Sequence, residues 1–352
     1  MAAAIPLISE SFRLPDFLVS KIIAYYMISY GLGALLYAPL TRFLSYRLVM
    51  MAALMIYAAA SLISGLSHSL NQLLIAQLMA GVTAASSTPL SLMLIGEFFD
   101  KQVRGRLVGI YFGCSFVASI VGMIFMGLAP WRYLFYIPAA LGIFTCVSLI
   151  VINNDLMNRN HNASINYFKI FTDDSTRKVF LFIFMMSFLY HGVHKWYGIY
   201  LHQEYHLSKE TISLFLIISA LCGLLGQNIG GYLSDKKGRR ITCLIGGLIL
   251  AVGTISLSGH YVPYVMPLLI GSMTIGWTIN HNAISTILTD FPDENRPIMA
   301  SLNSSVRFVS GGLGFSITSF FVSKSFSLTF LAIGLLLLGL SFAQKIFISC
   351  KT

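Results

Sequence analysis

Charge is scarce in this sequence. Of 352 residues, 10% are Asp, Glu, Lys or Arg and 56% are hydrophobic. A soluble domain carries about 25% charged residues, so an ordinary soluble domain is excluded. Acids are scarcer than bases, 13 against 23, and no acid lies near the middle of an apolar run. The strict polar–apolar alternation that marks membrane-barrel strands is missing as well. The five cysteines (Cys114, Cys146, Cys222, Cys243 and Cys350) form no close pair, and four fall inside apolar runs. That pattern removes metal-ligand and redox roles. No nucleotide-binding motif appears, nor a nucleophile with an orienting base, so neither an enzyme nor a cofactor is expected. A net charge of +10 would suit nucleic acid if it formed one patch. It is instead spread over many short connections. Met1–Ile8 holds no cation, the first being Arg13, so no cleavable signal is read.

What is abundant is long hydrophobic runs. Their length, near twenty residues, is what a helix needs to cross a ~30 Å hydrocarbon layer. Backbone groups in lipid must bond internally, which makes such runs helices. The pattern predicts eleven spans, at 18–38, 47–66, 72–96, 105–128, 133–153, 178–201, 209–232, 241–259, 263–288, 298–322 and 326–346. Cations divide unevenly between the two sets of connections. Arg42, Arg47, Lys101, Arg104, Arg106, Arg159, Lys169, Arg177, Lys178, Lys236, Lys237, Arg239, Arg240, Arg296, Lys345 and Lys351 lie on one side. Arg13, Lys21, Arg132, Lys209 and Lys324 lie on the other. The richer side is expected to be cytoplasmic, with the C-terminus inside.

An internal repeat organises the spans. FFDKQVRG around Arg104 matches FPDENRP around Arg296, and Phe116–Gly122 lies against Phe308–Gly314, both offset by 192. LLIAQLMAG at 73–81 resembles LLIGSMTIG at 268–276, and YAPLTRFLSYR at 37–47 falls opposite GYLSDKKGRR. Periodicity on this scale decides architecture. Two transmembrane halves are expected, 1–153 and 178–352. Between them, 154–177 would be a cytoplasmic linker ending in a short interfacial helix. The same offset sets Leu7, Glu10 and Leu14 against Leu201, Glu204 and Leu207. The apolar stub Met1–Ile8, followed by the polar turn Ser9–Asp16, then reads as the outer end of a first helix whose inner part is absent, through a truncated gene model or a naturally short start.

GYLSDKKGRR at 231–240 carries the family resemblance. Gly231, then Asp235, a basic residue, Gly238 and the pair Arg239–Arg240 resemble the signature loop of the major facilitator superfamily. The spacing is chemically sensible. Gly231 would let a helix end pack closely, Gly238 would take positive φ, and Asp235 would meet a helix start or Arg239 and Arg240. WRYLF at 131–135 resembles another family feature. The first-half copy of the loop departs from it, with Arg42 for Asp, Ser45 for Gly and Tyr46 for a base. Gln77 stands where many drug/proton antiporters of the family have Arg. The resemblance implies an all-α fold of two six-helix halves, here eleven full helices and a truncated first one. It further implies a cytoplasmic gating latch at 231–240 and secondary transport by alternating access. A monomer in the plasma membrane, the inner membrane of a bacterium, is the expected setting.

Ionisable residues inside spans are functional candidates. Arg307 lies deep in its span and must find a wet cavity, an aromatic face, an anion, or neighbouring amides and carbonyls. His191, His194 and Lys195 lie on the span that lines the cavity in the family, with Ser187 and Gly198 on the histidine face. The histidines are coupling candidates for protons. The alternative puts this cluster at the outer interface, with Lys195 snorkelling and Trp196 anchoring. Trp277, Asn280 and His281 are further solute-contact candidates, Trp277 and His281 sharing a face. The expected function is efflux of a small organic solute in exchange for protons. Uptake or exchange of an organic anion, or a non-transporting sensor, are the alternatives. Small-residue positions such as Gly223, Gly226, Gly230, Gly311, Gly312 and Gly314 are expected at close helix contacts.

Overall fold

A computed structural model describes residues 4–99, 101–151, 167, 172–289 and 296–348. Among them the regular structure is helical, with no strand. A short leading piece, α1 (Ile5–Phe12) and α2 (Asp16–Val19), runs into α3 (Lys21–Leu40). There follow α4 (Tyr46–Leu66), α5 (Leu70–Ala84), α6 (Ser87–Phe98), α7 (Lys101–Leu128) and α8 (Tyr133–Val151). After the linker come α9 (Asp174–His194), α10 (Tyr197–Tyr205), α11 (Lys209–Lys237) and α12 (Arg239–Ser256). The chain ends with α13 (Met266–Thr289), α14 (Arg296–Val322) and α15 (Phe326–Phe347).

Nine spans among the described residues are long and apolar enough to cross a bilayer. The 28-residue α7 and 24-residue α13 also have the length. Leu335, Leu336, Phe342, Phe320 and Leu328 are all more than half exposed. A soluble surface would not tolerate so many large apolar side chains in the open, whereas lipid accepts them. This is a multi-pass membrane protein.

Local chemistry explains where helices start. Ser45, Ser69, Asp173, Ser208 and Ser325 each accept the backbone N–H three residues on, the usual N-cap arrangement. Two helices end on the same device. Arg13 and His206 are the non-glycine residues with positive φ among those described, at 55° and 53°. Both cap a short helix in the left-handed conformation, and they stand 193 positions apart, within the spacing of the sequence repeat. Helices α3 and α14 pack together, as do α7 and α11. Beyond these, α4 packs on α8 and α5, α9 on α14 and α15, and α12 on α13 and α15.

Three expectations change on contact with the structure. The span expected at 178–201 is present, as Asp174–Tyr205, but it carries a break: α9 stops at His194 and α10 begins at Tyr197. The Trp196 N–H bonds Val193 O at 2.9 Å, while the Lys195 N–H reaches His191 O only at 3.4 Å. This tightened turn interrupts the register, so Gly198 belongs to a different helix from Ser187, His191 and His194. The span expected at 72–96 is likewise present, as Leu70–Ile95, with a break at Ala85–Ser86. Gly231 is not where close packing occurs either. A Cβ there would sit 3.9 Å from Asn282, an ordinary contact, whereas at Gly226 and Gly230 it would stand 2.9 Å from Cα of Ile275 and Ile279. Those two glycines are four apart and face α13; Gly231 is turned about 100° away from Gly230. Gly238 does behave as its spacing predicts, with φ 84° and ψ 157°, a region essentially reserved for glycine. Arg239 donates to the Ser234 carbonyl at 3.1 Å.

The Asp235 side chain lies outside the described residues, as do the side chains of Glu97, Asp100, Lys101, Arg104, Arg106 and Arg296, and residues 290–295. Of the linker, Tyr167 and 172–177 are described, and the Tyr167 hydroxyl donates to Leu35 O at 3.1 Å. The interfacial helix expected over Ile165–Phe171 otherwise falls outside them.

Candidate functional site

The candidates converge on the contact between α9, α13 and α14. Tyr190 is the centre of a ring stack: Trp277 lies parallel to it at 4.0 Å with a 2° interplanar angle, and His194 covers its other side at 4.8 Å. His191 meets Tyr190 at 4.9 Å and Trp277 at 5.7 Å. His281 stands 5.8 Å from Trp277, one helical turn along α13. The sharing of a face by Trp277 and His281 is therefore real, but the face packs on α9. The Nδ1 atoms of His191 and His194 are buried and lack hydrogen-bond partners among the described residues.

Arg307 is the one charged side chain in the buried class among the described residues. Its Nε donates to Asn303 Oδ1 at 2.7 Å, and its guanidinium carbon sits 5.8 Å from the Trp277 ring. Its own carbonyl accepts from Ser187 at 2.9 Å. This combines two of the expected environments, a neighbouring amide and an aromatic face, while Nη2 stays without a partner. Desolvating an uncompensated charge costs several kcal/mol even after relaxation. Arg307→Met keeps the apolar stem and removes the charge. Its thermal midpoint in detergent is expected to equal or exceed that of the parent. A clear fall would show that the guanidinium is compensated and is holding the helices together.

Asn280 is fully buried and points elsewhere, donating to the Cys243 carbonyl at 2.9 Å. It ties α13 to α12, and a solute-contact role does not fit that geometry. Trp196 is not an interfacial anchor. It is fully buried, donates to Thr318 Oγ1 at 3.0 Å and stacks on Phe315 at 4.6 Å.

Lys195 has a different surrounding. It sits at the break between α9 and α10 and lines a cavity of about 290 Å³. The rest of the wall comes from α3 (Ile23, Tyr26, Met27), α4 (Tyr57, Ser61), α5 (Gln77, Ala80), α8 (Leu134, Phe135, Pro138) and Phe308 of α14. Lys195 is half-buried and forms no ion pair among the described residues. Arg307, His191, His194, Trp277, Asn280 and His281 do not line this space; the first four and His281 form a polar layer elsewhere in the core. Tyr26, Tyr57 and Ser61 were missed from sequence. A tyrosine or serine in an apolar run is common in packed cores, and only the convergence of several helices marks these. Gln77 was visible as a family departure but not as a wall residue; its Nε2 donates to Ser64 Oγ at 2.9 Å.

A larger recess of about 850 Å³ lies between α1, α2 and the α10–α11 turn. Its wall mixes Glu10, Asp16 and Glu210 with Arg13 and Lys209, all exposed or half-buried. Such a balanced, wet surface selects no sign of charge.

A many-helix membrane protein with a cavity of mixed polar and apolar wall among its spans is the frame of a solute carrier. The family follows from comparison: the Major Facilitator Superfamily model matches residues 1–315, and the chain belongs to that superfamily. It is similar to the multidrug transporter MdtP of Bacillus subtilis, 26% identical over 132 residues, covering 36% of this chain and 24% of that protein. It is also similar to a probable L-galactonate transporter of Escherichia coli, 22% identical over 355 residues, covering 88% and 76%. The crystal structure of the nucleoside transporter NupG superposes with a TM-score of 0.77 at 13% identity, covering 99% of this chain and 95% of that one. At that identity the likeness shows the fold alone. The chain is a transporter-family protein and not an enzyme.

Proposed function

We propose that this protein is a secondary carrier that moves a small organic solute across the membrane by alternating access, with protons as the coupling ion. The observation carrying the reading is the cavity around Lys195. Four helices before the linker form most of its wall, and Lys195 and Phe308 from beyond the linker complete it. A solute there would sit between two six-helix halves, 1–153 and 178–352, that rock about it. The loop at 231–240 would act as the cytoplasmic latch, with Gly231, Asp235, Gly238, Arg239 and Arg240 in the family pattern. On the cation distribution the C-terminus is cytoplasmic. The carrier would work as a monomer in a bacterial inner membrane.

His191 and His194 are the coupling candidates, supported by buried Nδ1 atoms with no partner among the described residues. An unpartnered ring nitrogen there has no competing hydrogen bond, and it would take up a proton when an opened state brings water or an anion to it. Direction is supported unequally. Export rests on the general resemblance to the efflux branch of the superfamily, alongside the 132-residue similarity to the multidrug transporter MdtP. The longer similarity, to a probable L-galactonate transporter, favours an organic acid as cargo.

Flux in proteoliposomes tests the reading. Solute accumulation is expected to follow an imposed pH gradient in the parent. His191→Ala combined with His194→Ala is expected to abolish gradient-driven accumulation while leaving solute–solute exchange. Accumulation that ignores the gradient, or survives both substitutions unchanged, overturns proton coupling through these residues.

A further inference from the structure

Three features of the cavity bear on what it carries, given the carrier reading above. The first is sign. Lys195 is the charged residue in its wall, and no acid accompanies it there. Its ammonium has neither an ion-pair nor a hydrogen-bond partner among the described residues. Arg307, the other deep cation, is held against Asn303 and Trp277 and does not reach this space. Lys195 is half-buried, and a lysine placed among membrane helices loses part of its hydration unless an anion or several acceptors meet it.

The second feature is chemistry beside the charge. Tyr26, Tyr57, Ser61 and Gln77 bring hydroxyl and amide groups to the same wall. Gln77 is buried and fixed through its Nε2 on Ser64, so its carbonyl oxygen is oriented in advance. Phe135, Phe308 and the two tyrosine rings supply flat apolar faces. Such a wall suits a solute that has an anionic end and hydroxyl groups on a compact body.

The third is size. Ligand pockets span roughly 300–1,000 Å³, and about 290 Å³ is at the lower end of that range. In this conformation the cavity matches a small acid better than a bulky amphipathic drug.

We propose that Lys195 anchors the carboxylate of a small hydroxylated organic acid, with Tyr26, Tyr57, Ser61 and Gln77 reading its hydroxyl groups. The carrier thereby selects monoanions over neutral solutes of the same shape. The selectivity comes from a charge-assisted hydrogen bond in a cavity among the membrane helices, which an uncharged analogue cannot make.

The test uses the full chain purified in detergent and isothermal titration calorimetry with gluconate, lactate and glucose. At least one of the two acids is expected to bind, with glucose at least about tenfold weaker, the scale of a hydrogen bond to a charged group. Lys195→Met, close in length and uncharged, is expected to weaken acid binding at least about tenfold. Lys195→Arg restores the charge and should stay within about threefold of the parent. Matching size-exclusion profiles show that each variant is folded. Unchanged acid affinity in Lys195→Met overturns the proposal, as does glucose binding as tightly as the acids, or no acid binding to the parent. Gradient-driven flux of a neutral solute by the parent in proteoliposomes would then leave the carrier reading standing and remove only the anion assignment. Absence of any flux removes the carrier reading itself.

Discussion

Gly314→Ala should cost this protein much of its stability, whereas Gly339→Ala should leave it unchanged or slightly more stable. Both glycines lie inside long helices, so the substitutions are chemically identical. At Gly339 an added Cβ meets nothing within 4 Å, and alanine improves helix propensity by up to about 1 kcal/mol. At Gly314 the same atom would run into the carbonyl oxygen of Phe188 and stand 2.8 Å from its carbonyl carbon. The obstacle is backbone of α9, which cannot swing aside like a side chain. Separating α14 from α9 would also loosen the Ser187 bond to Arg307 O and the Trp196 bond to Thr318. Overpacking typically costs about 1–3 kcal/mol, and a backbone collision belongs at or beyond the top of that range. Thermal unfolding of the two variants in the same detergent decides it. Equal midpoints would mean that α9 and α14 are not packed this closely.

Trp196→Ala is the second large effect, about 3–5 kcal/mol for removing a fully buried indole. Trp196 packs between α2 and α14, with Phe17 at 5.6 Å, Phe315 at 4.6 Å and Phe326 at 6.4 Å. Its truncation also strands the Thr318 hydroxyl, which keeps only bonds to its own helix. An interfacial tryptophan half in lipid would lose far less, because headgroups and water refill the space. The unfolding midpoint and the yield of monodisperse protein separate these cases. A near-parental midpoint would return Trp196 to the membrane surface.

The two predictions mark how far residue patterns can be read. Gly314 was legible as a contact position, because a small residue deep in an apolar run has few uses other than letting helices approach. Its partner, the Phe188 carbonyl, was not legible. Trp196 was read as a membrane anchor on an equal footing with a cavity cluster. Both readings place a tryptophan beside a lysine near a span's outer end, so local sequence could not separate them. Gly238 was predicted for positive φ and has it, since that demand is set within one turn. Gly231 was predicted for close packing, and the approach occurs at Gly226 and Gly230 instead. Which face of α11 meets α13 depends on helix rotation, which no local rule sets.

The candidate site divides in the same way. His191, His194, Trp277, His281 and Arg307 were legible because polar and ionisable groups inside hydrocarbon are costly and stand out. Their mutual arrangement as a stacked layer, away from the cavity, was not. Asn280 stood out for the same reason and proved to be an α12–α13 tie.

By itself the sequence determined that this chain is a bundle of membrane helices, roughly where each begins and ends, and which superfamily loop it carries. Those properties follow from hydrophobic run length, capping residues and short motifs, all local along the chain. Tertiary structure alone decided that α9 breaks at Lys195 and that this lysine, rather than Arg307, reaches a cavity walled by Tyr26, Tyr57, Ser61 and Gln77. Those residues lie far apart in sequence, and each looks like an ordinary core residue until packing turns its helix inward.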